Sequence, residues 1–137
     1  MDTPPQTPLR HIVYRSTALG GPISDETLDA IRATAVRNNE ELGITGFLMC
    51  EGESFLQLIE GPEEAIEKTF LRIRGDRRHG SIEVLLDGPC ETRSVPAWAM
   101  GVFESDCGGG VVEEALRHPT LHADVRRALE SVARRAA

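Results

Sequence analysis

Phe55-Leu56-Gln57-Leu58-Ile59 is apolar on both of its alternating faces except at Gln57. A strand of that kind lies inside a sheet that is covered on two sides. A small domain then buries the one polar residue as well. A buried amide without partners costs roughly a few kcal/mol, so Gln57 must hydrogen-bond to something.

The neighbouring segments supply the rest of the sheet. Leu9–Ser16 reads as a first strand, with Ile12, Tyr14 and Ser16 on one face and His11, Val13 and Arg15 on the other. Ala18–Ile23, with Gly20-Gly21-Pro22, is a loop. Ser24 is a good N-cap, Asp25 and Glu26 suit a helix N-terminus, and Leu28, Ile31 and Ala35 form one apolar stripe through Asn39. Ile44–Cys50 and Ser54–Ile59 read as a hairpin turning at Glu51-Gly52-Glu53. Gly61-Pro62 opens a second helix, with Pro at its first position, and Gly75 ends it. Ser81–Leu86 and Trp98–Phe103 read as two more strands.

The order β-α-β-β-α-β-β, followed by helices, predicts an α+β ferredoxin-like sandwich. Both helices lie on one sheet face, and the first and third strands run side by side at the centre. Residues 1–8 form a loose tail, 9–104 the domain, 105–110 a glycine-rich joint and 111–137 a C-terminal helical cap or output segment. Val13, Leu56 and Leu58 make the other face of the central strands apolar too. The C-terminal helices or a second subunit must cover it.

If Ile12 faces the helices, so does Tyr14. Tyr14, Gln57, Asn38 and Asn39 then converge between the two helices above the sheet. Two readings stay open. The group is a satisfied polar cluster with an asparagine at a helix end, or it is the wall of a site for a planar, polar-edged ligand.

Composition removes other classes. The first 110 residues carry 10 basic and 18 acidic side chains, and the chain as a whole is at −7, so the basic field of a nucleic-acid or membrane-surface binder is missing. No apolar run is long enough for a membrane span, and the N-terminus lacks the order of a signal peptide. A cytoplasmic protein is expected. Cys50, Cys90 and Cys107 form no C-x-x-C pair, and Cys50 reads as a small core residue. His118 and His122 have ligand-like spacing, but Pro119 separates them and no third ligand is near, so no metal is expected. An acylphosphatase-like site would set Arg15 and Asn39 around a phosphate, but the glycine-rich cradle is missing.

LRHIVYRS, NNEELGITGFL, SFLQLIEGPEEAIEKTFLRIRGDRRH and VPAWAM, in this order and at these separations, resemble the BLUF domain. That is a family of bacterial and algal blue-light sensors that hold FAD non-covalently. The resemblance covers residues 9–104. It implies that the flavin ring lies between the two helices. Tyr14 matches the photoactive tyrosine, Gln57 its glutamine and Asn39 the asparagine at the flavin carbonyl edge, with Asn38 beside it. Ile31 and Ile73 match the residues flanking the ring. Arg78 and His79 match positions near the rest of FAD, and Trp98 and Met100 match a pair that passes the signal outward. Arg37 and Arg78 are candidates to meet the phosphates, since no G-x-G-x-x-G is present. Ala35 departs from the family's usual serine, which implies altered dark-recovery kinetics.

The chemistry needs these residue types. Tyrosine can give an electron and a proton to an excited flavin. A glutamine amide both accepts and donates, so it can bridge the two and then rotate or tautomerise. No catalytic output domain is expected within 137 residues. The signal must leave through an unidentified downstream protein, through self-association as a homo-oligomer, or both. The alternative is a BLUF-like interaction or oligomerisation module that ignores light.

Overall fold

The computed structural model describes residues 8–19, 24–51, 53–77, 79–96, 98, 101–104 and 115–136. Its elements are β1 (Leu9–Ala18), α1 (Asp25–Leu42), β2 (Thr45–Glu51), β3 (Ser54–Pro62), α2 (Glu63–Arg74), β4 (His79–Cys90), β5 (Gly101–Glu104) and α3 (Ala123–Ala136). One sheet runs in the order β4-β1-β3-β2-β5. β1 pairs antiparallel with β3 and β4, β2 pairs antiparallel with β3, and β5 runs parallel to β2. This is the ferredoxin-like α+β arrangement, with β1 and β3 adjacent in its middle.

Side-chain alternation divides the core into two layers. Ile12, Tyr14 and Ile59 face α2 through Ala65, Ile66 and Phe70. Ala18, Leu48 and Phe55 face α1 through Leu28, with Cys50 packed alongside. On the opposite face Val13, Phe47, Met49, Leu56 and Leu58 meet Val95, Ala115, Leu121, Val125, Ala128 and Leu129. The chain's own C-terminal helix therefore covers that face. Fully buried Val125 and Leu129 each contribute about 1.5–3 kcal/mol of burial to its docking.

Several boundaries differ from the sequence expectation. α1 continues past Asn39 to Leu42, because Gly43 takes a left-handed φ of 73° and its N–H caps the Asn39 carbonyl. Asn38 and Asn39 thus sit about one turn before the helix end. Pro62 closes β3 opposite Leu9 and does not open α2, which begins at Glu63 and Glu64. β4 runs well beyond Ser81–Leu86, through Gly88 and Pro89. It is an edge strand, so a proline there costs no ladder bond. The strand expected at Trp98–Phe103 starts only at Gly101. Trp98 lies before it, in a turn where its N–H donates to the Val95 carbonyl. Gly46 allows the close approach of β2 and β3: a Cβ there would stand 2.0 Å from the Leu58 carbonyl oxygen.

Glu60 is fully buried on the α3 side of β3. Its carboxylate accepts from the Ser94 N–H (2.8 Å), the Val95 N–H (2.9 Å) and the Thr45 hydroxyl (2.8 Å). Ser94 in turn accepts the His122 N–H on its Oγ and the Thr120 hydroxyl on its carbonyl. One carboxylate thus ties β3 to the segment that leads into α3. Glu60→Ala would leave two buried N–H groups without acceptors. It should cost about 3 kcal/mol, read as a lower urea midpoint at an unchanged slope.

Candidate functional site

A cleft opens between α1 and α2 on the sheet face that carries Tyr14. Counting the space open to solvent, it spans about 750 Å³ between the two helices. β1 contributes Tyr14 to its floor, β2 contributes Leu48, and β3 contributes Phe55, Gln57 and Ile59. α1 contributes Ile31, Thr34, Ala35, Asn38 and Asn39. The facing wall is Thr69, Arg72 and Ile73 of α2, followed by Asp76 and His79.

Each helix presents one stripe: residues 31, 34, 35 and 38 fall at i, i+3, i+4 and i+7, and residues 69, 72 and 73 at i, i+3 and i+4, with Asp76 just beyond the end of α2. On the floor, Tyr14 and Gln57 are direct cross-strand partners in the β1–β3 register. The Tyr14 hydroxyl donates to Gln57 Oε1. The same glutamine amide carries two N–H donors on its nitrogen. Both side chains are buried, as is Asn39. Burial holds the Tyr14 hydroxyl protonated far above the usual phenol range, and the nearby charge of Asp76 adds to this. The Tyr14 ring is steadied by Phe70, 5.6 Å away between centroids and tilted by 55°.

Thr69 is buried on the cleft wall, and its Oγ1 has no hydrogen-bond partner. A buried hydroxyl in that position calls for a ligand atom or an equivalent partner. Apolar walls, an unpaired hydroxyl and several amides suit a flat, heteroatom-edged ring. That is the chemistry of a flavin.

The structure brings together Tyr14, Ile31, Asn38, Asn39, Gln57, Ile73 and His79. It does not bring Arg37 into the cleft. That side chain is exposed on α1, and Arg72 lines the cleft instead. Arg78 and Met100 lie outside the described residues. Trp98 is on the other face of the sheet, packed with the core beneath α3. It meets Phe47 and His118 edge-on at 6.4 and 4.7 Å. Arg15 and Asn39 do not share a site: Arg15 points away from the cleft and pairs with Glu83 at 3.2 Å. Among the described residues no group of three or more His, Cys, Asp or Glu could hold a metal ion. No described helix is long and apolar enough to cross a membrane.

Thr34, Thr69, Arg72 and Asp76 line the cleft although the apolar periodicity of the helices did not single them out. For Thr34, Thr69 and Arg72 the available signal is their place on the helical stripes of Ile31 and Ile73.

Known proteins share this architecture. A family model described as "BLUF: Sensors of blue-light using FAD" matches residues 9–101. The photoactivated adenylate cyclase subunit beta of Euglena longa is 39% identical over 80 residues, which is 58% of this chain and 9% of that protein. The chain thus spans about a tenth of the length of the curated relatives it matches. The structure titled "BlrP1 BLUF" superposes with a TM-score of 0.76 at 30% identity, over 94% of this chain and 89% of that one. The dark-state structure of the BLUF protein BlrB gives a TM-score of 0.63 at 32% identity, over 72% and 74%.

Proposed function

The chain belongs to the BLUF family of FAD-binding blue-light sensors, and from that membership we propose that Tyr14 and Gln57 form its photochemical pair. The observation that supports this most is the Tyr14–Gln57 hydrogen bond on the floor of an open cleft. A flavin held in the cleft would supply, when excited by blue light, a one-electron oxidant beside the phenol. Tyr14 gives that electron and releases its hydroxyl proton along the existing bond to Gln57 Oε1. Gln57 accepts on oxygen and donates from nitrogen, so it can relay the proton and then rotate or tautomerise. When the electron and the proton come back to Tyr14, the pair regains its starting redox state, and the rearranged Gln57 amide leaves a different hydrogen-bond pattern.

The remaining side chains hold and orient. Asn38 and Asn39 present amides to the polar edge of the ring. Ile31 and Ile73, on facing walls of the cleft, would flank the ring and exclude water. Thr69 offers its unpaired hydroxyl, and Arg72 offers a positive charge toward the anionic part of FAD. Ala35 stands on the same wall without a hydroxyl, which fits a recovery rate different from that of a serine-bearing chain.

The domain senses; we assign it no catalysis of its own. We place the protein in the cytoplasm and its output in protein–protein contacts, through a homo-oligomer or a separate partner. α3, packed behind the central strands with Trp98, is the element whose docking light would bias. The experiment is a light-minus-dark absorption spectrum of the purified full chain. A yellow protein whose flavin band shifts reversibly to the red is expected. A chain that takes up no FAD, or whose flavin band ignores blue light, would overturn the proposal.

A further inference from the structure

We infer that His79 is a positioning residue, which holds the Tyr14 end of β1 against the last turn of α2, and not a direct ligand of the cofactor. His79 opens β4, and its ring reaches both walls of a corner of the cleft. Nε2 lies 2.6 Å from the Ile73 carbonyl oxygen, and Nδ1 lies 2.7 Å from Ser16 Oγ. A carbonyl oxygen only accepts, so Nε2 carries a hydrogen and donates to it. In the neutral ring Nδ1 is then the acceptor, and the Ser16 hydroxyl donates to it. In the imidazolium Nδ1 donates, and Ser16 Oγ accepts. In both states both ring nitrogens are occupied by the protein, and none is left for the cofactor.

The partners explain the effect. Ser16 is buried on β1, two residues beyond Tyr14 and on the same face. Ile73 forms part of the facing wall, and its carbonyl, at the end of α2, accepts the Asp76 N–H at 3.1 Å besides the His79 ring. The His79 ring also stands edge-on to Tyr14 (6.3 Å) and to Phe55 (6.2 Å). His79 thus fixes three things at once: the course of β1 just past Tyr14, the position of Ile73, and the space beside the phenol.

The inference rests on the sensor reading, and its test separates the two. Tyr14 is the sole tyrosine, so labelled tyrosine gives NMR signals from that ring alone. The variants are His79→Gln, whose amide can supply one donor and one acceptor, and His79→Phe, which keeps a ring and removes both bonds. Ser16→Ala removes one bond and leaves the histidine in place. In the flavin-loaded dark state, Tyr14 ring flips should stay slow in wild type and His79→Gln and become fast in His79→Phe. Dark recovery after blue light should be about fivefold faster in His79→Phe, as expected when a hydrogen bond of ordinary strength is lost from one of two states. Ser16→Ala should move both readouts in the same direction by less. All three variants should still bind FAD.

Wild-type ring flips and recovery in both His79→Phe and Ser16→Ala would overturn the inference. So would loss of FAD binding in His79→Phe with Tyr14 ring flips matching those of flavin-free wild type, because that is the behaviour of a direct ligand. Failure of the sensor reading looks different: no light shift in the wild type itself. The ring-flip comparison, made in the dark, still decides the role of His79 in that case.

Discussion

Tyr14→Phe is expected to keep its flavin, its colour and its fold and to lose the light-driven red shift entirely. The substitution removes one atom. The ring stays packed on Phe70, which is 5.6 Å away, so the floor of the cleft keeps its shape. What disappears is the hydroxyl that donates to Gln57 Oε1. The loss of one buried hydrogen bond should lower stability by about 1 kcal/mol, too little to unfold the domain. The photochemical consequence is all-or-none, because phenylalanine has no proton to release and is a far poorer electron donor. Raising the pH does not imitate the variant, since burial keeps the Tyr14 hydroxyl protonated through the accessible range. The measurement is the light-minus-dark spectrum of the purified variant beside wild type. A full red shift in the phenylalanine chain would remove Tyr14 from the mechanism.

The central pair was legible in the sequence because a strand repeats every two residues. Once Ile12 was assigned to the helix side, Tyr14 had to follow, and the lone polar residue in Phe55–Ile59 had to find a partner. Their direct opposition across β1 and β3 was not legible, since register is set by the hairpin and the sheet order together. The end of α1 is not legible from Asn38-Asn39, because asparagines are common at helix ends. Here Gly43 does that work four residues after Asn39, and Asn39 lies on the cleft wall. A basic residue near a helix C-terminus, such as Arg72, reads as a partner of the helix dipole, and only the rotation of α2 puts it on the cleft wall. The length of β4 was hidden by Gly80, Gly88 and Pro89, which read as breakers although an edge strand accepts them. Which face Trp98 takes could not be read either, because it lies in a turn before β5, where strand alternation does not apply.

The two faces of the sheet suggest how a change at Gln57 reaches the surface. On β3 the residues alternate between the cleft and the α3 side: Phe55, Gln57 and Ile59 on one, Leu56, Leu58 and Glu60 on the other. Glu60 is three residues from Gln57 and clamps the segment before α3 through Ser94 and Val95. A small shift of β3 therefore acts on both sides at once. Packed interfaces of this kind favour two discrete arrangements over a continuous deformation.

Gln57→Leu should also abolish the red shift, and unlike Tyr14→Phe it should move the dark spectrum as well. Leucine fills much of the same volume but neither accepts the Tyr14 hydroxyl proton nor donates to the cofactor edge. It leaves the buried phenol without its partner, at a cost of about 1–3 kcal/mol. Flavin binding should survive, since the apolar walls and the asparagines are untouched. The double variant is the sharper test. With phenylalanine at 14 and leucine at 57 no hydroxyl is left to be orphaned, so the combined destabilisation should fall short of the sum of the single ones by about 1 kcal/mol in a urea double-mutant cycle. Strict additivity would mean that the two side chains do not meet. A red shift surviving in Gln57→Leu would mean that the proton from Tyr14 has another way out.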